Sequence, residues 1–191
     1  MFYCGIDPGA DGGVAILDQQ GKVVEYMVYN NIKFAKMLAR YIGEEMKFCI
    51  EDVHAVENSK ASSTFKFGVN TGRAQGIVTT YLVWTNQDIS QFSNVLPTIW
   101  KRDMGALLGD NAQYEERKLR SIERAHELFP GINIQYKGQW KRDANGDYVK
   151  QEKQISKNKT KLVRVKEYVD HDGLADALLI AEWNRRQHEC K

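Results

Sequence analysis

The alternation of apolar and polar positions predicts a strand-rich amino-terminal part of the chain. Apolar runs at residues 2–7 and 13–18 are joined by a Gly-rich turn, and a third run follows at 22–29. Short runs separated by turn residues favour an antiparallel hairpin extended by a third strand. The nearly all-apolar run at 47–53 indicates a fourth strand in the middle of the sheet, because central strands are buried on both faces.

The remaining pattern predicts helices and one more short strand. This strand ends at Pro97, which suits the first turn of a helix that continues to residue 109. Helical periodicity predicts four further helices, over residues 32–46, 62–85, 114–130 and 171–187. Three antiparallel strands followed by β–α units predict an α/β fold, with a mixed five-stranded sheet and helices on both faces.

Composition adds the expectation of a single domain spanning residues 1–191. The chain is 42% hydrophobic and 27% charged, which are ordinary values for a globular protein. No apolar run approaches the ~20 residues that span a bilayer, and the amino terminus lacks a secretory-signal pattern. Three scattered cysteines indicate reduced core thiols: Cys4, Cys49 and Cys190. We therefore expect a cytoplasmic protein without a membrane partner.

The charge is unevenly distributed, although the net charge is only +2. Residues 137–166 contain ten basic and three acidic residues, which indicates a polyanionic partner or a solvated lysine-rich loop. We expect residues 131–170 to form a basic insertion within the domain. The turn signal DANGD at 143–147 predicts a β-hairpin between the flanking segments QYKGQWKR and YVKQEKQ.

Several acidic residues stand in apolar surroundings. Asp7 ends the first predicted strand, Glu51 ends the fourth, and Asp176 lies on the apolar side of the last helix. Asp172 is one helical turn before Asp176, so the two share a face, although Asp172 could instead cap the helix. Buried carboxylates are normally paired or bound to metal, and carboxylate-only sites favour Mg²⁺ or Mn²⁺. These positions predict a metal site.

Four motifs in order carry a resemblance to a known family. They are GIDPG (5–9), IEDV (50–53), FGVNTGRAQGIV (67–78) and LADALLIA (174–181). Together they resemble the RuvC-type Holliday-junction resolvases, in a phage-like variant, within the RNase H-like nuclease superfamily. The resemblance covers roughly residues 2–130 and 171–185, and it implies a five-stranded RNase H-like sheet.

The resemblance also implies a catalytic metal site. Asp7, Glu51 and Asp176 match the metal-binding acids of the family. The family carries a further Asp or His three residues before the last acid, where this chain has Gly173. We expect Asp172 to take that role, with His171 in reserve. Two Mg²⁺ ions, for which Mn²⁺ can substitute, would then hydrolyse the phosphodiester bond.

The implied activity is a metal-dependent endodeoxyribonuclease that resolves Holliday junctions or other branched DNA by paired cuts. Paired cuts imply a homodimer, for which the helix at 62–85 is the expected interface because of its small residues and apolar surface. Expected DNA contacts are His54, Arg73, Lys101, Arg102, Lys118, Lys137 and Lys141. Asp11, in the first turn, is expected to be an exposed turn residue.

Three other interpretations remain open. An RNase H acting on RNA–DNA hybrids would share the acids. An actin-like or sugar-kinase-like ATP-binding protein also begins with a strand, an Asp and a Gly-rich turn, but it needs a second, similar lobe. A non-catalytic binder of branched DNA would share the fold, yet Asp7, Glu51 and Asp176 are all present.

Overall fold

The chain forms two compact units. The computed structural model describes residues 1–52, 61–109, 111–140, 142–156 and 159–189. The first unit comprises Met1–Ile132 with Asp172–Lys191, and the second comprises Asn133–His171.

A five-stranded sheet forms the centre of the first unit. Its strands are β1 (Phe2–Ile6), β2 (Gly13–Asp18), β3 (Val23–Val28), β4 (Met46–Glu51) and β5 (Phe92–Val95), arranged in the order β3-β2-β1-β4-β5. The first three strands pair antiparallel, and β4 pairs parallel with both β1 and β5. The predicted mixed five-stranded sheet is confirmed.

Five α-helices of the first unit lie within the described residues: α1 (Asn31–Leu38), α2 (Ala61–Trp84), α3 (Pro97–Asp103), α4 (Tyr114–Leu128) and α5 (Asp172–Glu189). Their starts follow local chemistry. The Asn30 side chain accepts a hydrogen bond from the Lys33 backbone N–H, Pro97 occupies the first turn of α3, and Gln113 forms a capping box with Glu116.

Two predicted helices are too long. The helix expected at 32–46 ends at Leu38 and is followed only by a 3₁₀ turn, and the helix expected to reach residue 109 ends at Asp103. Gly43 has φ +95° and Gly105 has φ +72°, conformations that end helices. The apolar residues after each helix end keep the spacing of a helix in the sequence, so the pattern alone predicts helices that are too long.

Helices cover both faces of the sheet. On one face, β1, β2 and β4 share a buried core with Phe34 and Met37 of α1 and with Val78 and Leu82 of α2. On the other face α5 packs against β1 and β2 at very short range. A Cβ atom at Gly5 would lie 2.2 Å from the Ala181 backbone nitrogen, so only glycine permits this contact.

Other expectations for the first unit are also tested. Cys4 and Cys49 are buried free cysteines, which confirms them as core thiols, and Cys190 lies outside the described residues. Helices with both the length and the apolar character of a membrane span are absent from the described part of the chain.

The second unit consists of two two-stranded sheets. β6 (Gln135–Trp140) pairs antiparallel with β9 (Lys166–Asp170), and β7 (Lys150–Ser156) pairs antiparallel with β8 (Lys159–Arg164). The turn predicted at 143–147 is present, since the Asp143 backbone N–H donates to the Asp147 carbonyl at 2.9 Å.

The strand pairing predicted around this turn is wrong. The segments before and after it were expected to pair with each other, but β6 pairs with β9 and β7 with β8. A single bridge between Arg142 and Tyr148 closes the turn. Beyond that bridge the two strands take different partners, which a local turn signal does not specify.

Candidate active site

The ends of two neighbouring strands place Asp7 and Glu51 at one edge of the sheet. Ile6 and Ile50 are partners in the parallel pairing of β1 and β4, so Asp7 and Glu51 come next on the same side. The Asp7 carboxylate accepts a hydrogen bond from the Gly9 backbone N–H at 2.8 Å. Two backbone hydrogen bonds between Asp7 and Gly13 hold the turn. The position of this carboxylate is therefore fixed by the sheet and the turn.

Glu51 is buried, and its side chain accepts a hydrogen bond from Trp100. Only 6% of its surface is exposed, and the Trp100 indole Nε1 donates to Glu51 Oε1 at 3.1 Å. Trp100 is fully buried on α3. Trp100 was not among the residues predicted for the site. Its position could have suggested it, because it lies in the first helix after β5 and directly precedes Lys101, which was predicted.

Helix α5 brings Asp172 and Asp176 to the same site, and each pairs with a lysine. Lys101 Nζ lies 3.3 Å from Asp176 Oδ2, and Lys118 Nζ lies 3.0 Å from Asp172 Oδ2. Both lysines were predicted to contact DNA, and the structure places both against the acids. Asp172 is the first residue of α5, with its carboxylate directed to Lys118.

One carboxylate oxygen lacks a hydrogen-bond partner. Asp176 Oδ1 is buried and accepts no hydrogen bond in the described part of the structure, and the same holds for the Ser121 hydroxyl. Ser121 lies close enough to lower the pKa of Asp176, but the two groups do not have hydrogen-bond geometry. A buried oxygen without a donor is costly, so this atom is available to a ligand.

Burial above all, and then the charge of neighbouring carboxylates, raises the pKa of three of these acids. Burial, followed by the charge of Asp176, raises the pKa of Asp7 to about 7. Burial, then the charges of Asp7 and Asp176, raises the pKa of Glu51 well above its usual range. Burial also raises the pKa of Asp176, against the effect of the Lys101 ammonium group. Three carboxyl groups with raised pKa values therefore lie at this edge of the sheet, and such shifts are typical of functional sites.

The fit of this site to a metal ion rests on its donor chemistry. Asp7, Glu51, Asp172 and Asp176 offer only carboxylate oxygens, the ligands that Mg²⁺ and Mn²⁺ prefer, and Asp176 Oδ1 is without a donor. No group of three or more His, Cys, Asp or Glu side chains has a ready-made metal-binding arrangement within the described residues. The lysines occupy positions beside two of the acids instead.

The departure at Gly173 has a steric reason. A Cβ atom at Gly173 would lie 2.0 Å from the Asp11 carbonyl oxygen and 2.7 Å from the Gly12 Cα atom. Gly12 and Gly173 form a parallel bridge between the first turn and the start of α5. Neither Asp nor His fits at position 173, which leaves Asp172 as the additional acid on this turn of α5.

The glycines of the first turn serve this same contact. A Cβ atom at Gly13 would lie 2.4 Å from the Gly173 carbonyl oxygen, and one at Gly12 would lie 2.1 Å from the Asp7 carbonyl oxygen. The structure uses these glycines to bring the start of α5 and the first turn together. Asp11 is exposed, as predicted.

Neighbours other than the four acids can be named for three further predicted residues. Arg73 is exposed on α2 and lowers the pKa of Tyr29, which places it by β3 and α1. Arg102 is exposed and pairs with Asp103 at 3.0 Å. His171 belongs to the second unit, where its ring contacts Tyr136 edge-on.

Three other predicted contacts cannot be placed. His54 and Lys141 lie outside the described residues, and the Lys137 side chain on β6 also lies outside the described part of the structure.

The hydrogen bond to Glu51 makes a first prediction. Trp100→Phe leaves Glu51 Oε1 without its indole donor, and we expect it to reduce the free energy of unfolding by about 1–3 kcal/mol. Urea denaturation at pH 8 measures the effect. Trp183→Phe is the matched control, because its indole Nε1 donates at 3.0 Å to the more exposed carboxylate of Asp103. Equal losses in the two variants would contradict a special role for the Glu51 contact.

Comparison with known proteins addresses the fold. No family model matches the sequence, and no curated protein matches it. The solved structure of T. thermophilus RuvC in complex with Holliday junction substrate is similar, with a TM-score of 0.52 and 15% sequence identity. The similarity covers 98% of this chain and 97% of that chain. The chain therefore has a RuvC-like fold of the RNase H-like type, with its acids at the edge where β1 and β4 end.

Proposed function

We propose that this protein is a metal-dependent endonuclease that resolves Holliday junctions or other branched DNA. The observation that carries the proposal is that carboxylates from β1, β4 and α5 lie within electrostatic reach of one another, beside two lysines, on a RuvC-like fold. The fold alone supports many chemistries, so the site decides. T. thermophilus RuvC, a structural neighbour, was solved with Holliday junction substrate.

The four acids would hold Mg²⁺, with Asp7 and Glu51 held by strand ends and Asp172 and Asp176 one turn apart on α5. When bound, two such ions activate a water and stabilise the leaving 3′ oxygen. The protein supplies a rigid first shell, because strand ends and helices hold side chains more tightly than loops do. Trp100 orients Glu51 through its indole N–H.

Lys101 and Lys118 would take a second role once the acids hold a cation. Each ammonium group then loses its carboxylate partner and becomes available to phosphate oxygens. A cavity of about 160 Å³ beside Lys101 has Thr98 and Arg117 among its lining residues. These donors are suited to a DNA phosphate next to the acids.

Two symmetric cuts in a four-way junction require two active sites, which a homodimer provides. Helix α2 presents exposed apolar side chains, with Phe65, Val83 and Trp84 all more than 70% exposed. A Cβ atom at Gly68, Gly72 or Gly76 would contact nothing within 4 Å, so this stripe is open to a partner. We propose that a second copy of the chain packs on this surface.

The dimer makes a second prediction. Trp84→Lys removes an apolar side chain that is 83% exposed, so we expect it to shift the dimer to monomer without lowering the melting temperature. Light scattering over a range of protein concentrations measures the change. Val24→Lys, on β3 and 46% exposed, is the control that should leave the dimer intact. A wild-type protein that stays monomeric, both free and with junction DNA, would contradict the proposal.

The function is tested by supplying labelled four-way junction, fork, RNA–DNA hybrid and ATP in parallel with Mg²⁺. Paired symmetric nicks in the junction that disappear with Asp7→Asn support a resolvase. Cleavage of the hybrid alone would assign an RNase H, and ATP turnover would assign a kinase-like ATPase. Tight junction binding without any cleavage would indicate a non-catalytic binder.

A further inference from the structure

The hairpin formed by β7 and β8 places basic side chains directly opposite one another. Lys153 is the partner of Lys161, and Lys150 is the partner of Arg164. Opposite side chains in an antiparallel pair have Cβ atoms about 5 Å apart, and like charges in such pairs are destabilising. Lys150, Lys153 and Lys161 form no ion pair with an acid in the described part of the structure. Among the described side chains of the hairpin, no acidic partner therefore relieves this repulsion.

The hairpin also lacks a buried face. Its described side chains are exposed on both faces except for the half-buried Val163, and Leu162 is 61% exposed. Residues 150–164 contain six basic residues and one acidic residue. An isolated two-stranded hairpin is marginally stable in water even without such repulsion. A strand pair with this charge and exposure is explained by a partner that supplies negative charge.

A stack of two arginines on a tyrosine lies at the base of the hairpin. The Arg142 and Arg164 guanidinium carbons lie 4.2 Å and 4.1 Å from the centre of the Tyr148 ring. Both guanidinium groups therefore lie within cation–π distance of one ring. Arg142 also donates to the Tyr148 hydroxyl at 2.9 Å. This stacking orients planar cations whose N–H groups match phosphate oxygens.

We propose that the β7–β8 hairpin and this arginine stack bind the phosphate backbone of duplex DNA independently of its sequence. The inference rests on the proposed action on DNA, and it names the element that holds a duplex arm. Two-stranded ribbons fit the major groove, and Lys and Arg contacts to phosphate supply most non-specific affinity. Among the described basic residues of the second unit, the proposal selects Arg142, Lys150, Lys153, Lys161 and Arg164.

The test uses the full-length protein with Asp7→Asn, in EDTA, and a linear 30-bp duplex, so neither cleavage nor junction structure contributes. We expect Lys153→Gln with Lys161→Gln to weaken binding at low salt and to reduce the slope of log K against log salt by about 2. The matched control is Lys33→Gln with Lys36→Gln, two exposed lysines on α1, which should leave affinity and slope unchanged.

A charge reversal separates binding from folding. Position 153 lies opposite Lys161, so Lys153→Glu replaces a repulsive pair of charges with an attractive one. The melting temperature should therefore stay the same or rise. If the hairpin contacts phosphate, the same substitution must weaken duplex binding more than Lys153→Gln does. A purely structural role predicts that binding is retained.

Each remaining outcome is decisive. Unchanged affinity and salt slope in both hairpin variants would overturn the proposal. It would also be overturned if polyglutamate competed for the hairpin as well as duplex DNA does at equal charge, since that would indicate an acidic protein partner. If the wild-type protein in Mg²⁺ bound duplex DNA through the hairpin but cut no junction, the proposed nuclease would be contradicted and this inference would stand, so the two failures are distinguishable.

Discussion

Asp7→Asn is expected to abolish junction cleavage and, in the same protein, to increase the stability of the metal-free state. The loss of activity follows from the proposed position of Asp7 between β1 and the other acids. Removing one carboxylate from a two-metal site forfeits several kcal/mol of transition-state stabilisation, which corresponds to a rate decrease of about 10³-fold or more. Single-turnover cleavage of a labelled junction in Mg²⁺ measures it.

The gain in stability follows from the sign of the pKa shift. The pKa of Asp7 rises from its ordinary 3.8 to about 7 in the folded protein, chiefly by burial. Between these two values the folded state binds more protons than the unfolded state, so the free energy of unfolding falls as pH increases. Above pH 7 Asp7 is ionised in the folded protein, and the full free-energy cost of burying its charge remains. Asparagine carries no charge, so we expect Asp7→Asn to gain on the order of 2–4 kcal/mol at pH 8.

Denaturation in EDTA at pH 5 and pH 8 tests this effect. The difference between wild type and Asp7→Asn should be larger at pH 8, and added Mg²⁺ should stabilise the wild type more than the variant. Asp11→Asn is the matched control, since Asp11 is exposed in the same turn. A destabilised Asp7→Asn protein at pH 8 would show that the carboxylate serves the fold rather than a cation site.

The acids could be located from the sequence because an apolar run followed by a carboxylate is a local pattern. Asp7 and Glu51 each follow a short strand, and parallel neighbours in a sheet end at the same edge. The sheet itself was predictable for the same reason, since the central strands are short apolar runs. Both inferences need only the spacing of apolar residues, the length of each apolar run and the order of the strands.

The partners of these acids could not be found from the sequence. Lys101 and Lys118 are 75 and 54 positions from the acids they contact, and Trp100 is 49 positions from Glu51. Nothing local distinguishes a helix lysine that faces a carboxylate from one that faces solvent. The pairing of β6 with β9 escaped prediction for the same reason, because it joins strands that are separated by a complete hairpin.

Gly173→Ala is expected to reduce the free energy of unfolding by about 3 kcal/mol or more. The added Cβ atom would lie 2.0 Å from the Asp11 carbonyl oxygen, and both groups belong to backbone that cannot turn away. The start of α5 must move away from the first turn to remove this steric clash. Because α5 carries Asp172 and Asp176, cleavage should decrease together with stability.

Gly68→Ala is the matched control for this steric argument. Gly68 is exposed within α2, and a Cβ atom there would contact nothing within 4 Å. Alanine is the better helix former, so we expect a gain of about 0.5–1 kcal/mol at this position. Urea denaturation of both variants, under the same conditions, separates crowding from the general effect of replacing glycine.

Gly173→Asp is the sharper form of the same prediction. It places an acid at the spacing that the RuvC-type family carries, so sequence similarity alone predicts an intact or improved metal site. The structure predicts the opposite, because the backbone contact between Gly12 and Gly173 excludes any side chain. We expect Gly173→Asp to be at least as unstable as Gly173→Ala and to remain unstable in Mg²⁺. Restoration of stability by Mg²⁺, with cleavage at the wild-type rate, would show that α5 can move and that Asp172 is dispensable.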